Sequence, residues 1–116
     1  MGGEHALVAP DFLVVELAQV LLRRTRRHEL GLERARGVLA SVHRFVDLLP
    51  SLRLAHDAFE VAVRFDRSVY DALYLALALR EGCALITADR RLFEAVQPQL
   101  PEAVAWIGDL PAADAT

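Results

Sequence analysis

The stretch from Ser68 to Leu92 constrains the fold most, because it contains an almost uniformly apolar helix with one internal carboxylate. Between Val69 and Arg80 the polar side chains are Asp71, two tyrosines and the terminal arginine. A helix that is apolar nearly all round must be buried, and an unpaired ionised carboxylate there would cost several kcal/mol. Asp71 therefore needs a hydrogen-bond donor, a cation or an open cleft beside it.

A second carboxylate, Asp89, follows the strand predicted at Cys83–Thr87. The preceding helix carries the chain roughly 18 Å in one direction, and the strand brings it back roughly 16 Å. We therefore expect Asp71 and Asp89 to lie near the carboxyl end of the strand. Open α/β sheets place their ligand sites at this edge.

Both carboxylates also have a structural explanation. Ser68 and Asp71 fit a capping box, and an aspartate that follows a strand is a common helix N-cap. Taken singly, capping is the better explanation for each. Carboxylates from separate segments at one edge would instead repel one another unless a divalent cation neutralised them. Oxygen-only clusters of this kind bind Mg²⁺ or Mn²⁺.

The N-terminal part predicts a strand at Ala6–Ala9 and a helix from Asp11 to about Arg27. One side of this helix is polar and carries Glu16, Gln19, Arg23 and Arg26. This side is explained by contact with water. Alternatively, Glu16 leans back toward the start of the helix and so toward the sheet edge, since helical side chains tilt that way.

Basic residues crowd the end of this helix, where Arg23, Arg26 and Arg27 belong to the run RRTRRH. Cations are favoured at a helix C-terminus by the helix dipole. They would equally suit contacts with an RNA backbone. All thirteen basic residues of the chain are arginine, which excludes lysine-based covalent chemistry.

The remaining elements follow from apolar spacing and breaking residues. We predict a helix from Leu32 to Leu49, a weak strand at Leu52–Ala55, a third helix with Ala58, Phe59, Ala62 and Phe65 inward, a helix at Arg90–Val96 and a strand at Ala103–Ile107. Residues 109–116 are predicted to form a flexible tail. The whole chain, residues 1–116, is expected to form a single domain.

Composition limits the environment and the partners. A net charge of −3 gives no general attraction to nucleic acid, so RNA binding would need a local patch. Cys83 is expected to be a small core residue in a reducing compartment. The longest apolar run, Ala72–Leu79, is too short to cross a bilayer, and the N-terminus has no leader pattern, so a cytoplasmic protein without membrane contact is expected.

The segments VYDALYLALA and LITADRRL, together with APDFLVVELAQVL at residues 9–21, resemble PIN-domain ribonucleases, in particular the VapC-like toxins of bacterial toxin–antitoxin pairs. The resemblance implies a three-layer α/β/α fold with a mainly parallel sheet. It also implies an endoribonuclease whose Mg²⁺ or Mn²⁺ is held by Glu16, Asp71 and Asp89, with Thr87 and Gln19 as accessory residues. A small antitoxin protein and a homodimer are the implied partners.

The chain departs from this family at its start. PIN-domain ribonucleases open with a central strand that carries the first metal-binding aspartate, and MGGEHALV does not provide it. We therefore expect a gap or a close approach between the strands at Ala6–Ala9 and Cys83–Thr87. The alternative function is a shortened, catalytically silent module that binds an antitoxin or a sister subunit.

Overall fold

A computed structural model describes residues 7–110. The chain divides into two compact units, unit 1 at Met1–Leu52 and unit 2 at Arg53–Thr116. Each unit contains helices and one pair of parallel strands, so the predicted α/β class is confirmed. Within the described residues, the helices are all too short or too polar to cross a membrane.

Unit 1 is built on two strands joined by helices. Its elements are β1 (Leu7–Pro10), α1 (Phe12–Arg26), α2 (Leu32–Ser41), a 3₁₀ turn at Val42–Arg44 and β2 (Val46–Leu49). The strands are parallel, and Leu7 lies opposite Val46. Parallel strands need a long crossover, which the two helices supply.

Asp11 and Ser51 tie the start of α1 to the chain that follows β2. The Ser51 N–H donates to Asp11 Oδ1 at 3.0 Å, and the Phe12 N–H donates to Ser51 Oγ at 3.0 Å. Hydrogen bonding to the Ser51 side chain and backbone lowers the pKa of Asp11 from its ordinary value of 3.8. These two hydrogen bonds link the segments, and the second one satisfies the N–H of Phe12 at the start of α1, where the helix itself supplies no acceptor.

The second predicted helix is wrong beyond Ser41. Val42, Val46 and Leu49 keep helical spacing, but residues 46–49 form β2. The cause is long-range: the main chain of this segment pairs with β1 along the full strand, and the Asp11 N–H adds a bond to Leu49 O at 2.7 Å. Tertiary pairing overrides a local helical pattern here.

Unit 2 contains α3 (Ala55–Phe65), α4 (Val69–Glu81), β3 (Leu85–Thr87), α5 (Arg90–Val96) and β4 (Val104–Trp106), followed by a 3₁₀ turn at Ile107–Asp109. A 3₁₀ turn at Ser51–Leu54 precedes α3, so the weak strand predicted at Leu52–Ala55 is wrong. The strands β3 and β4 are parallel, with Thr87 opposite Trp106.

The core of unit 2 is centred on α4, as the sequence predicted. Its buried residues are Ala72, Leu73, Leu75, Ala76, Leu77 and Ala78. Leu75 is fully buried and packs in one cluster with Phe65, Leu92, Val96 and Val104. Burying a leucine of this kind stabilises a fold by about 1.5–3 kcal/mol.

Two burial predictions are wrong. Phe59 was expected to face inward and is 57% exposed, whereas Ala58 and Phe65 are buried. Cys83 was expected in the core and is exposed. Its N–H donates to Ala78 O at 3.0 Å after Gly82 adopts a left-handed φ of 68°. This helix-ending turn takes Cys83 out of the strand, which begins at Leu85.

The strands belong to two two-stranded sheets, β1 with β2 and β3 with β4. The gap or close approach expected between the first strand and the strand before Asp89 concerns strands of different units and stays a prediction. Ala6 and the rest of MGGEHA lie outside the described residues, as do residues 111–116 of the predicted tail. The single domain stays a prediction.

Candidate active site

Asp71 is the third residue of α4, where its backbone is capped. Ser68 is the N-cap residue, and its Oγ accepts from the Asp71 N–H at 3.1 Å. The predicted capping by Ser68 is confirmed, but within residues 7–110 the reciprocal bond of a capping box, from the Ser68 N–H to the Asp71 carboxylate, is not formed. Because the bond to Ser68 Oγ uses only the backbone of Asp71, it leaves the carboxylate to interact elsewhere.

The Asp71 carboxylate meets both a cation and water. Its Oδ2 lies 3.8 Å from Arg67 Nη2, and its side chain is 40% exposed. The sequence required a donor, a cation or a cleft beside this acid, and the structure provides a cation together with solvent. An ion pair this long and this exposed adds little stability, so it does not bind the carboxylate tightly.

Arg67 was not identified from the sequence, although its spacing of four residues from Asp71 is one at which charged side chains interact. Its side chain is 21% exposed, and its Nε is buried without a hydrogen-bond partner among the described residues. The Arg67 N–H donates to Ala62 O at 3.1 Å, following Asp66 in a left-handed conformation. The turn between α3 and α4 therefore fixes the backbone from which Arg67 reaches Asp71.

Asp89 lies two residues after Thr87, the last residue of β3, and is the N-cap of α5. Its Oδ1 accepts from the Leu92 N–H at 3.1 Å, so the predicted capping role is confirmed. Its own N–H donates to Thr87 Oγ1 at 2.9 Å, and Thr87 is buried. Its Oδ2 has no hydrogen-bond partner within residues 7–110. One oxygen therefore holds the helix, and the other is available to a ligand.

The chemical type of the aspartate side chains of unit 2 suits a hard divalent cation, and joint binding of one ion by Asp71 and Asp89 stays a prediction. Asp71 and Asp89 offer carboxylate oxygens, the ligand type that suits Mg²⁺ and Mn²⁺. Over the described residues, neither unit by itself holds a group of three or more His, Cys, Asp or Glu side chains placed for a metal. Mg²⁺ usually keeps several waters and takes one or two carboxylates plus substrate phosphates, so two aspartates are a suitable protein contribution.

The other predicted site residues lie on α1 in unit 1. Glu16 and Gln19 are exposed, as are the three arginines of the predicted RNA contact. Arg23 and Arg26 are in the last turn, and Arg27 is the C-cap residue. This placement agrees with the dipole explanation. A contact of these arginines with RNA stays a prediction, as do metal roles for Glu16 and Gln19.

Two open hollows of unit 2 do not contain the predicted acids. One, of about 370 Å³, is bordered by Gly82, Cys83 and Glu102. Another, of about 460 Å³, is bordered by Asp57, Glu60 and Arg80. Both border the C-terminal half of α4, whereas Asp71 lies in its first turn. These hollows are therefore separate from the candidate site.

Comparisons with known proteins extend over most of the chain. The PIN domain matches residues 2–97. A VapC ribonuclease of Mycobacterium bovis is 38% identical over 96 residues, which are 82% of this chain and 74% of that protein. Ribonuclease VapC9 of Mycobacterium tuberculosis gives the same figures. Ribonuclease VapC3 of Pyrobaculum aerophilum is 36% identical over 87 residues, 72% of this chain and 66% of that protein. With a match this extensive and an α/β fold of parallel strands, the chain belongs to the PIN-domain family, as a VapC-like member.

Proposed function

We propose that the protein is a metal-dependent endoribonuclease of the VapC type, which cleaves RNA phosphodiesters with Mg²⁺ or Mn²⁺. The observation that carries the proposal is the state of Asp89 in a chain of this family. Its backbone is held by buried Thr87, and one of its carboxylate oxygens has no partner within residues 7–110. The relatives named above are ribonucleases by name, which supports RNA as the substrate.

Asp71, Asp89 and Glu16 are the proposed metal-holding acids. When bound, the metal would polarise the phosphodiester and lower the pKa of an attacking water. Thr87 orients Asp89 through its hydroxyl, and Gln19 is proposed as an accessory polar residue.

Phosphate contacts away from the reacting bond are assigned to Arg23, Arg26 and Arg27. A guanidinium binds phosphate oxygens through paired N–H donors. A chain with a net charge of −3 needs such a local patch to bind RNA. These contacts would act on the RNA backbone and not on its base sequence.

The proposed partners are a small antitoxin protein and a second copy of the chain, and the proposed place of action is the cytoplasm. The names of the relatives support the antitoxin, because VapC proteins are the toxin halves of such pairs. The family resemblance is the support for a homodimer.

The second candidate is a catalytically silent PIN-like module that binds an antitoxin or a sister subunit. It is favoured by the absence of a three-residue metal group within the described part of either unit. The two candidates differ in one measurable property, since only the nuclease cleaves RNA when a divalent metal is added.

The test is cleavage of a labelled single-stranded RNA with Mg²⁺, with Mn²⁺ and with EDTA. We expect metal-dependent cleavage that falls by about 10²-fold or more in Asp71→Asn and in Asp89→Asn, because each loses a charged ligand. Glu94→Gln is the matched control, since it removes a carboxylate from an exposed position of α5. Cleavage by both aspartate variants at the control rate would contradict the proposal. Absence of cleavage by the native chain would favour the silent module.

A further inference from the structure

Unit 2 holds an arginine stacked on its tryptophan, one residue after Asp89. The Arg90 Cζ lies 4.1 Å from the centroid of the Trp106 ring. Trp106 is the single tryptophan of the chain and the last residue of β4. Arg90 is exposed, so this pair lies at the protein surface. None of the functional assignments above uses either residue.

The tryptophan ring is fixed by its surroundings. The Phe93 ring lies 6.0 Å away, centroid to centroid, at an interplanar angle of 54°. A Cβ added at Gly108 would lie 2.6 Å from Trp106 Nε1, so the absence of a side chain there lets the indole lie against the backbone. Trp106 also pairs in register with Thr87. The ring therefore lies at the carboxyl end of the β3–β4 pair, and Asp89 comes shortly after this end of β3.

Stacking leaves the guanidinium ready to bind an anion. Contact with the ring face restrains the planar group, but its N–H donors point outward in the plane. Within residues 7–110 the Arg90 guanidinium has no hydrogen-bond or ion-pair partner. A restrained guanidinium fork suits the two oxygens of a phosphate. Because Arg90 already covers one face of the ring, that face is closed to a stacked base.

The geometry points to Arg90, held by Trp106, as a phosphate-binding residue for the RNA strand beside Asp89. This inference rests on the proposed function and adds a binding group to it. The contact is made to the backbone, so it positions the strand without reading its sequence. Trp106 acts as a positioning residue, because its role is to restrain the guanidinium.

Arg91 provides a matched control. It is the next residue of α5, it is also exposed, and within the described residues no aromatic ring lies under its guanidinium. Arg90→Gln and Arg91→Gln each remove one positive charge, and the two positions are adjacent in the sequence. A difference between Arg90→Gln and Arg91→Gln therefore reports the stacked geometry and not the net charge.

The experiment measures binding of a short single-stranded RNA in EDTA, which prevents metal-dependent cleavage, over a series of salt concentrations. Trp106 fluorescence is the local reporter, since no other tryptophan contributes. The native chain should show a saturable change in fluorescence. Arg90→Gln should lower the slope of log affinity against log salt by about 0.7, the loss of one single-strand phosphate contact. Arg91→Gln should keep the native slope.

Coupling between the two residues gives a second readout. Trp106→Leu, with binding followed by a label on the RNA, should weaken binding about as much as Arg90→Gln does. The double variant should be no weaker than either single variant. Arg90→Lys retains the charge without the planar fork, and it should recover the salt slope with only part of the affinity. Additive losses from Arg90→Gln and Trp106→Leu would overturn the positioning role.

The outcomes separate this inference from the function on which it rests. Native RNA binding with equal slopes for Arg90→Gln and Arg91→Gln would overturn the Arg90 assignment and leave the nuclease proposal standing. Failure of the native chain to bind RNA would overturn both. A reduced salt slope in Arg90→Gln, together with RNA cleavage that is unchanged in Asp71→Asn and Asp89→Asn, would support the phosphate contact and reject the metal site.

Discussion

The two units differ in how they are held together. Within the described residues, the buried apolar side chains of unit 1 are Ala9, Pro10, Leu21 and Ala35, and all the others belong to unit 2. The described part of unit 1 is held by the pairing of β1 with β2 and by the hydrogen bonds that Ser51 makes with Asp11 and Phe12. Unit 2 has a continuous apolar core around α4.

This difference bears on the chemistry, because catalytic groups need rigid supports. Asp71 lies at the start of α4, whose later residues form the core. Asp89 lies between β3 and α5, and the adjoining Leu92 belongs to the core cluster. Glu16, by contrast, lies on a helix whose buried residue is Leu21. The two aspartates therefore have the firmer support.

The largest expected effect is on the core of unit 2. Leu75→Ala should lower the free energy of unfolding by about 2–5 kcal/mol, since Leu75 is fully buried and its truncation leaves a cavity. Urea unfolding followed by Trp106 fluorescence measures this change directly, because that tryptophan belongs to unit 2.

Leu21→Ala is the matched substitution in unit 1. Leu21 borders a hollow of about 150 Å³ between α1 and α2, so its truncation removes fewer contacts. The loss in free energy of unfolding should therefore be about 2 kcal/mol, the lower end of the range for a buried leucine. Unfolding followed by circular dichroism reports the helices of both units, so Leu21→Ala and Leu75→Ala are compared by this same signal. An equal or larger loss for Leu21→Ala would contradict the contrast between the units.

A smaller effect on stability is expected from the hydrogen bond between Asp11 and Ser51 in unit 1. Because hydrogen bonding with Ser51 lowers the pKa of Asp11 below 3.8, its contribution to stability is present above the unfolded-state pKa. That contribution is lost as the pH falls through the lower, folded-state value. Asp11→Asn should therefore be less stable than the native chain at neutral pH, with a difference that shrinks in acid. Asp47→Asn removes an exposed carboxylate of the same unit and is the matched control for the loss of one negative charge at neutral pH.

The fold was predictable where local pattern and tertiary environment agree. Uniform apolarity placed α4 at Val69–Arg80, against the observed Val69–Glu81, and α5 has the predicted bounds. The strand β2 was missed because its apolar residues also fit a helix, and only its pairing with β1 decides the outcome. The predicted burial of Cys83 was wrong because the turn at Gly82 delays the strand, which begins at Leu85 instead of Cys83.

The candidate site was predictable in part for a similar reason. Capping by Ser68 and Asp89 follows from residue type and spacing, and both bonds are present. The Arg67 contact depends on the turn set by Asp66. The stacking of Arg90 on Trp106 joins residues from α5 and β4. Neither contact has a strong local signal, because both depend on how separate elements pack.

The most direct test of the central claim is calorimetric titration with Mn²⁺ of the native chain, Asp71→Asn and Asp89→Asn. Binding to the native chain should be weakened about tenfold or more by each substitution, since each removes a charged oxygen ligand. Melting curves of the three proteins would show that the variants remain folded. Equal Mn²⁺ affinity in all three proteins would contradict the claim and leave Asp89 with only its helix-capping role and Asp71 with only its ion pair to Arg67.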